Sequence, residues 1–220
     1  MEEAVRCHNA GERVLLTCYN NPLSGFMKKT LGERAALSVG NYHGFCDGLF
    51  RKAGIRLDRT KIDNTLFLEQ YPKCLAEALA ALPKERYDVI IIDEGQDFPP
   101  ELLTSLEQAL DPTGKGKIRL FYDDNQDVYH NRGQYLEKLH EIPFALTLNL
   151  RNPQKIHELA RHFYKGKETS AIGPEGLEVT WIVAETPDEV RWALHDYIRQ
   201  LVEKKTHPAL RYCGPDRNPR

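Results

Sequence analysis

The chain has 220 residues and a formal net charge of -2, which excludes a uniformly basic protein that coats nucleic acid. Hydrophobic residues make up 41% of it and charged residues 28%, as in a typical globular protein with a core of useful size. Neither a membrane span nor a zinc site is expected, because no apolar run reaches bilayer length and the five cysteines form no CxxC pair.

Apolar runs of strand length alternate with helical patterns along the chain. Helices are predicted at residues 2–10, 67–83, 99–110, 134–140, 153–166 and 187–205. Strands are predicted at residues 13–19, 87–93, 118–124, 144–150 and 177–184, and a short strand or loop followed by a helix at 37–54. Residues 20–25 carry turn residues, and residues 55–65 are polar and irregular. This alternation predicts an α/β fold with a mainly parallel sheet.

Two acids follow the most strongly apolar strand. The unbroken apolar run within residues 87–93 predicts a strand that is buried on both faces of a parallel sheet. Asp93 and Glu94 therefore stand at the carboxyl end of a strand, where open α/β sheets bind their ligands. One carboxylate can hold Mg²⁺, and its neighbour can deprotonate an attacking water. The alternative is a solvated acidic loop after a core strand.

Two further polar groups follow predicted strands. Gln126 lies in the sequence FYDDNQDVY, where it can reach a γ-phosphate or the attacking water from a neighbouring strand. Arg151 lies in the sequence LTLNLRNPQKI, between a strand and a helix, where it can deliver a guanidinium to a phosphate. The alternatives are a plain strand-end loop for Gln126 and a surface salt bridge for Arg151.

Two segments combine aromatic rings with polar groups in a way that suits single-stranded nucleic acid. Tyr19 and Asn20 follow the first predicted strand, and Tyr42, His43 and Phe45 lie in the sequence NYHGF. Aromatic rings stack on unpaired bases, while asparagine and histidine can contact phosphates. The alternative is that these rings belong to the core.

These segments occur in the order of the motifs of UvrD-like superfamily 1 helicases, which they resemble from about Gly11 to Ile156. The similar stretches are RVLLTCYNNPLS for motif Ia, NYHGFCDGL for Ib, YDVIIIDEGQD for II, YDDNQDVY for III and LNLRNPQKI for IV. The stretches DEGQDFPPE and DDNQ are most similar to the sequences of the branch that is often fused to a nuclease-related domain. The resemblance implies an ATP-dependent DNA helicase with a RecA-like P-loop fold, which moves along single strands.

The resemblance also implies roles for individual residues. Asp93 would hold Mg²⁺, and Glu94 would be the catalytic base. Gln126 would couple the nucleotide to the DNA groove, and Arg151 would reach the phosphates from the second RecA-like domain. The single-strand path would be lined by Tyr19, Asn20, His43 and Phe45.

One part of such a motor is missing, because the sequence contains no GxxxxGK[ST] phosphate-binding loop. In the family this loop precedes a helix that leads into motif Ia, and residues 2–10 resemble that helix. We therefore expect residues 1–145 to be a first RecA-like domain without its P-loop strand and loop. Residues 146–220 are expected to be the incomplete start of a second domain, since motifs V and VI are absent. Truncated in this way, the chain is expected to show no ATPase activity alone.

Three functions are compatible with the sequence. The chain can be a fragment of an ATP-dependent DNA helicase, a non-catalytic module that binds nucleic acid or a protein, or half of a split motor. The expected cofactors are ATP and Mg²⁺, and the expected partners are single-stranded DNA and a chain or region that supplies the P-loop. Sparse cysteines and the lack of an apolar signal segment predict a cytoplasmic protein with no membrane partner.

Overall fold

The computed structural model describes residues 1–57, 66–123, 144–164 and 168–203. The chain divides into two compact units, Met1–Leu146 with Tyr164–Lys167 and Thr147–Phe163 with Glu168–Arg220. The first unit contains a four-stranded parallel sheet flanked by helices, which confirms the predicted α/β class. Within the described ranges, no helix is both long enough and apolar enough to cross a membrane.

The first unit alternates helices and strands. Its elements are α1 (Glu2–Asn9), β1 (Val14–Cys18), α2 (Asn21–Leu31), β2 (Leu37–Asn41), α3 (Tyr42–Ala53), a π-helical turn (Leu66–Gln70), α4 (Tyr71–Ala81), β3 (Val89–Ile92), a 3₁₀ turn (Gly95–Asp97), α5 (Pro100–Glu107) and β4 (Lys117–Leu120). The strands are parallel neighbours in the order β2-β1-β3-β4. Each predicted strand and helix before β4 is confirmed in type, with ends that differ by a few residues.

The prediction of a turn at residues 20–25 is wrong, because α2 begins there. The Oδ1 atom of Asn20 accepts a hydrogen bond from the Leu23 N–H at 3.0 Å and caps the helix. Pro22 occupies the first turn, where its missing N–H removes no helical hydrogen bond. Asparagine and proline favour turns and helix starts for the same local reasons, so the sequence pattern alone does not separate the two.

The two faces of the sheet have separate cores. Leu15 on β1 and Ile90 on β3 belong to one core, which α3, α4 and α5 complete. Leu16 and Ile91, the next residues on the same strands, belong to the other core, together with apolar residues of α1 and α2. Because successive side chains of a strand point to opposite faces, an unbroken apolar strand is the pattern that a sheet covered on both faces requires.

Charged groups join the strands at the amino end of the sheet. Arg13, which precedes β1, donates its backbone N–H to Asp88 Oδ2 at 2.7 Å. Its guanidinium lies 3.0 Å from carboxylate oxygens of both Asp88 and Asp111. The hydrogen bond from the Arg13 side chain is the main reason that the pKa of Asp88 is lowered. This network fixes the starts of β1 and β3 at the edge opposite to the predicted site.

The second unit is less regular. Its elements are β5 (Leu148–Asn149), α6 (Gln154–Arg161), β6 (Ser170–Ala171) and α7 (Pro187–Glu203), and β5 pairs with β6 in parallel. The helices predicted at 153–166 and 187–205 are confirmed, whereas only two residues of 144–150 form a strand. The strand predicted at 177–184 is wrong, since these residues pair with no strand of the described chain and Trp181 is 71% exposed. An apolar run needs a neighbour to become a strand.

Candidate functional site

The carboxyl ends of the four parallel strands lie along one edge of the sheet in the first unit. The Asp93 N–H donates to the Thr17 carbonyl oxygen at 2.9 Å, so the acidic segment leaves β3 beside the end of β1. Tyr19, His43 and Glu94 follow the ends of β1, β2 and β3 along the chain. This is the edge at which open α/β sheets bind ligands. Three of the residues selected from the sequence therefore gather at one edge.

The backbone of Glu94 has a left-handed conformation. Its φ is 52° and its ψ is 48°, and Ala36 is the only other non-glycine residue with positive φ in the part of the chain that is described. The Glu94 N–H donates to Oδ1 of Asp93 at 3.2 Å. Because such a conformation costs on the order of 1 kcal/mol or more, the surrounding structure must hold this turn in place.

Hydrogen bonds to the segment after β4 hold the turn. The Gly95 N–H donates to the Phe121 carbonyl oxygen at 2.8 Å, and the Asp123 N–H donates to Gln96 Oε1 at 3.0 Å. The Gln96 amide also donates to the carboxylate of Glu94. Gln96 is only 1% exposed. Gln96 is not among the residues predicted from the sequence, where its only signal is an amide within the acidic turn (residues 93–97).

The charge of the acidic turn affects the pKa of the Cys18 thiol. Burial is the main cause that raises the pKa of Cys18 to about 11, and the Asp93 carboxylate adds to the shift. The Sγ atom also lies 3.2 Å from the Asn20 carbonyl oxygen, to which it donates. At neutral pH the thiol is therefore protonated, and a protonated thiol is a poor nucleophile.

A cluster of aromatic rings adjoins the acidic turn. The half-exposed Tyr19 ring meets His43 edge-on at a centroid distance of 5.5 Å and Phe98 at 5.7 Å. Phe98 directly follows the 3₁₀ turn and is fully buried. The other rings that contact His43 are Tyr42, Phe67 and Tyr71. The Tyr19 side chain thus packs against the residue that directly follows the acidic turn.

His43 is enclosed by these rings. Its Nε2 atom is buried and has no hydrogen-bond partner among the described residues. Burial lowers the pKa of His43, while the carboxylate of Asp47 opposes this shift. The ring is therefore neutral at pH 7, and its packing supports Tyr19. The predicted contact of His43 with DNA stays a prediction.

Three other residues of the predicted DNA path have structural partners. Tyr42 is fully buried and its hydroxyl lies 2.8 Å from Ser105 Oγ, so this ring belongs to the core and cannot stack on a base. The side-chain oxygen of Asn20 caps α2. The Phe45 ring packs against Tyr87, which precedes β3, with centroids 5.9 Å apart. The structure therefore brings Tyr19 and His43 together but places Phe45 against a different ring.

The two remaining predicted residues lie elsewhere. Gln126 is outside the described residues. Arg151 is exposed between β5 and α6 in the second unit, where its N–H donates to Asn149 Oδ1 at 3.1 Å. Its position between a strand and a helix is the one expected from the sequence. Its contact with a nucleotide stays a prediction.

The predicted Mg²⁺ site at Asp93 and Glu94 stays a prediction. No group of three histidine, cysteine, aspartate or glutamate side chains in the described ranges can hold a metal ion. Mg²⁺ in nucleotide sites, however, keeps several waters and is bound through one or two carboxylates plus phosphate oxygens. Asp93 and Glu94 can supply such carboxylates. The donor set is thus compatible with Mg²⁺ that arrives with a nucleotide, and not with a closed protein cage.

Comparison with known proteins identifies no relative of this chain. No model of a protein family matches this chain, and no curated protein matches it. The resemblance to superfamily 1 helicases therefore stays a prediction from the ordered sequence motifs.

Proposed function

We propose that the chain provides part of the motor of an ATP-dependent superfamily 1 DNA helicase that moves along single-stranded DNA. The observation that supports this proposal is that the Asp93-Glu94 turn leaves β3 beside the end of β1, where the half-buried Tyr19 follows and packs against Phe98. A motor must join the place where ATP is hydrolysed to the place where a base is held. Contact between Tyr19 and Phe98, the residue after the acidic turn, supports such a connection.

The carboxylates have distinct tasks in this proposal. When bound, ATP with Mg²⁺ supplies the phosphoryl group whose hydrolysis drives movement. Asp93 holds the metal and Glu94 accepts the proton of the attacking water, which the resemblance assigns to these positions. The left-handed backbone of Glu94 and the hydrogen bond from Gln96 fix the direction of its carboxylate. Gln126 and Arg151 would add a phosphate sensor and a guanidinium.

The nucleotide part of the proposal is tested by turnover. Because the sequence lacks a GxxxxGK[ST] loop, we expect no measurable ATPase from the chain alone, with or without single-stranded DNA. DNA-stimulated hydrolysis that is lost in Glu94→Gln would show that the chain itself is a complete motor. That result would overturn the expected inactivity and would leave the assignment of Glu94 intact.

The DNA part is tested by the binding of a fluorescent oligodeoxythymidine, measured by anisotropy. We expect binding at low salt that weakens as salt rises, because phosphate contacts release counterions. Tyr19→Ala should weaken binding about tenfold, the effect of losing one stacked base. The matched control is Phe26→Ala, which removes a ring that is 58% exposed on α2. No binding at low salt, or equal effects of the two variants, would refute the proposed DNA path.

The split-motor alternative is supported by the edge of the described sheet. Lys117 and Phe121 donate their N–H groups to β3, so the N–H groups of the intervening Ile118 and Leu120 point away from it. No other strand pairs with β4 in the described ranges. A polypeptide with an apolar strand and a GxxxxGK[ST] loop, added in trans, should then restore nucleotide binding. Failure of this addition, together with intact DNA binding, would favour the non-catalytic module.

A further inference from the structure

The amide of Gln96 is a buried link between two parts of the candidate site. Gln96 is 1% exposed and lies within the 3₁₀ turn that follows Glu94. A buried amide has two donors and an acceptor, and each needs a partner. Its nitrogen donates to the Glu94 carboxylate, and its oxygen accepts from the Asp123 N–H at 3.0 Å. Only this orientation of the amide satisfies both neighbours.

The two hydrogen bonds of Gln96 are coupled through the amide group itself. A carboxylate that accepts from the amide nitrogen polarises the group and makes its oxygen a stronger acceptor. The strength of the Asp123 hydrogen bond therefore depends on the charge and position of the Glu94 carboxylate, although these two residues make no direct hydrogen bond in the structure. The nearby bond from Gly95 to Phe121 joins backbone atoms only, so it does not share this dependence.

We propose that Gln96 is a positioning residue that couples the Glu94 carboxylate to the backbone after β4 at Asp123. Through this amide, a change at Glu94 alters how firmly the backbone N–H of Asp123 is held. The coupling stands on the geometry of the two hydrogen bonds. Its use in a nucleotide cycle rests on the proposed function, in which Gln126 belongs to that segment.

The coupling is tested by amide hydrogen exchange, followed by NMR in the chain without any nucleotide. In Gln96→Met, which keeps the length and burial of the side chain, the Asp123 amide should exchange about tenfold faster or more. In Glu94→Ala the same amide should also exchange faster, although Gln96 is still present. The internal control is the Gly95 amide, whose exchange should change little in either variant.

A Gln96 side chain that only holds the loop in place, without coupling it to Glu94, would give a different result. If Glu94→Ala leaves the Asp123 amide unchanged while Gln96→Met accelerates it, Gln96 fixes the loop without coupling, and the proposal is overturned. In the double variant, Glu94→Ala should add nothing to the effect of Gln96→Met, and full additivity would also overturn the proposal. Exchange of the Ile90 and Ile91 amides of β3 reports whether a variant is folded. If Gln96→Met fails that check, Glu94→Ala alone decides.

The result is separate from the outcome of the ATPase and DNA experiments. A chain that binds no DNA can still show the coupled exchange, which would refute the proposed function and retain the link. A chain that binds DNA through Tyr19 but shows no coupling would retain the function and refute the role of Gln96.

Discussion

Gly95 has no room for a side chain, and Gly95→Ala should therefore destabilise the first unit. A Cβ atom at this position would lie 2.4 Å from Cδ1 and 3.1 Å from Cγ of Leu120, and 3.3 Å from the Phe121 carbonyl oxygen. The Leu120 side chain can rotate, but the Gly95 N–H bond to Phe121 keeps the two backbones close. Overpacking of this kind costs about 1–3 kcal/mol.

Part of this cost is offset in the unfolded chain. Alanine has less conformational freedom there than glycine, which contributes about 0.4–1 kcal/mol in favour of the folded variant. The net loss of stability should be about 1–2 kcal/mol. In a Leu120→Ala background the clashing atoms are gone, so Gly95→Ala should lower the free energy of unfolding by about 1 kcal/mol less than it does in the unchanged chain. Such non-additivity is typical of two residues in contact.

The measurement is urea unfolding of the first unit. Both tryptophans, Trp181 and Trp192, belong to the second unit, so tryptophan fluorescence does not report on the site. Near-ultraviolet circular dichroism of the buried tyrosines of the first unit does. Gly25→Ala in α2 is the control, because its Cβ would meet nothing within 4 Å and the helix should gain up to about 1 kcal/mol. Equal costs of Gly95→Ala in both backgrounds would refute the steric explanation.

Three further outcomes follow from buried or charged groups. Ser105→Ala should lower the free energy of unfolding by about 1–3 kcal/mol and Tyr42→Phe by about 1 kcal/mol, and a reversed order in urea unfolding would contradict this. In Ser105→Ala the buried Tyr42 hydroxyl loses its hydrogen bond to Ser105, whereas in Tyr42→Phe the Ser105 hydroxyl keeps the Leu102 carbonyl oxygen as its acceptor. The pKa of Asp88 is lowered in the folded chain, so its contribution to stability is present at neutral pH and is lost as pH falls below the ordinary value of 3.8. The unfolding midpoint of Asp88→Asn should accordingly vary less with pH in that range than that of the unchanged chain. Cys18 is fully buried with a pKa of about 11, so iodoacetamide at pH 8 should modify it only after urea unfolding, and modification in the folded chain, detected by mass spectrometry, would contradict its burial.

The local sequence pattern was sufficient to predict those strands and helices that a single segment of the chain specifies. The apolar run within residues 87–93 predicted a strand buried on both faces of a parallel sheet, because a strand without polar alternation has no face for solvent. The apolar run at residues 13–19 predicted a second strand. The place of Asp93 and Glu94 at the carboxyl edge followed from the strand that precedes them. Local pattern failed where an apolar run found no neighbouring strand, as at residues 177–184.

Long-range pairing explains what the sequence analysis missed at the site. Tyr42 is buried because Ser105, distant in the chain, meets its hydroxyl, and no local pattern separates this ring from the half-exposed Tyr19. Gln96 acquires its role only when the backbone at Asp123, which follows the neighbouring strand β4, comes within hydrogen-bond distance of it. The N-cap of Asn20, by contrast, is a local feature that a closer comparison of turn and cap patterns would have found.

Because the backbone at Glu94 is left-handed, the choice of residue at this position affects both thermal stability and the proposed catalysis. Glycine at this position would adopt the same φ and ψ without steric penalty, so Glu94→Gly would relax the turn even as it removed the carboxylate. The same change would leave the buried Gln96 nitrogen without the acceptor that Glu94 provides, so the relief of the backbone is opposed by the loss of a hydrogen bond. Engineering for stability would have to keep this position fixed and seek its gains elsewhere, for example at the exposed Gly25 of α2.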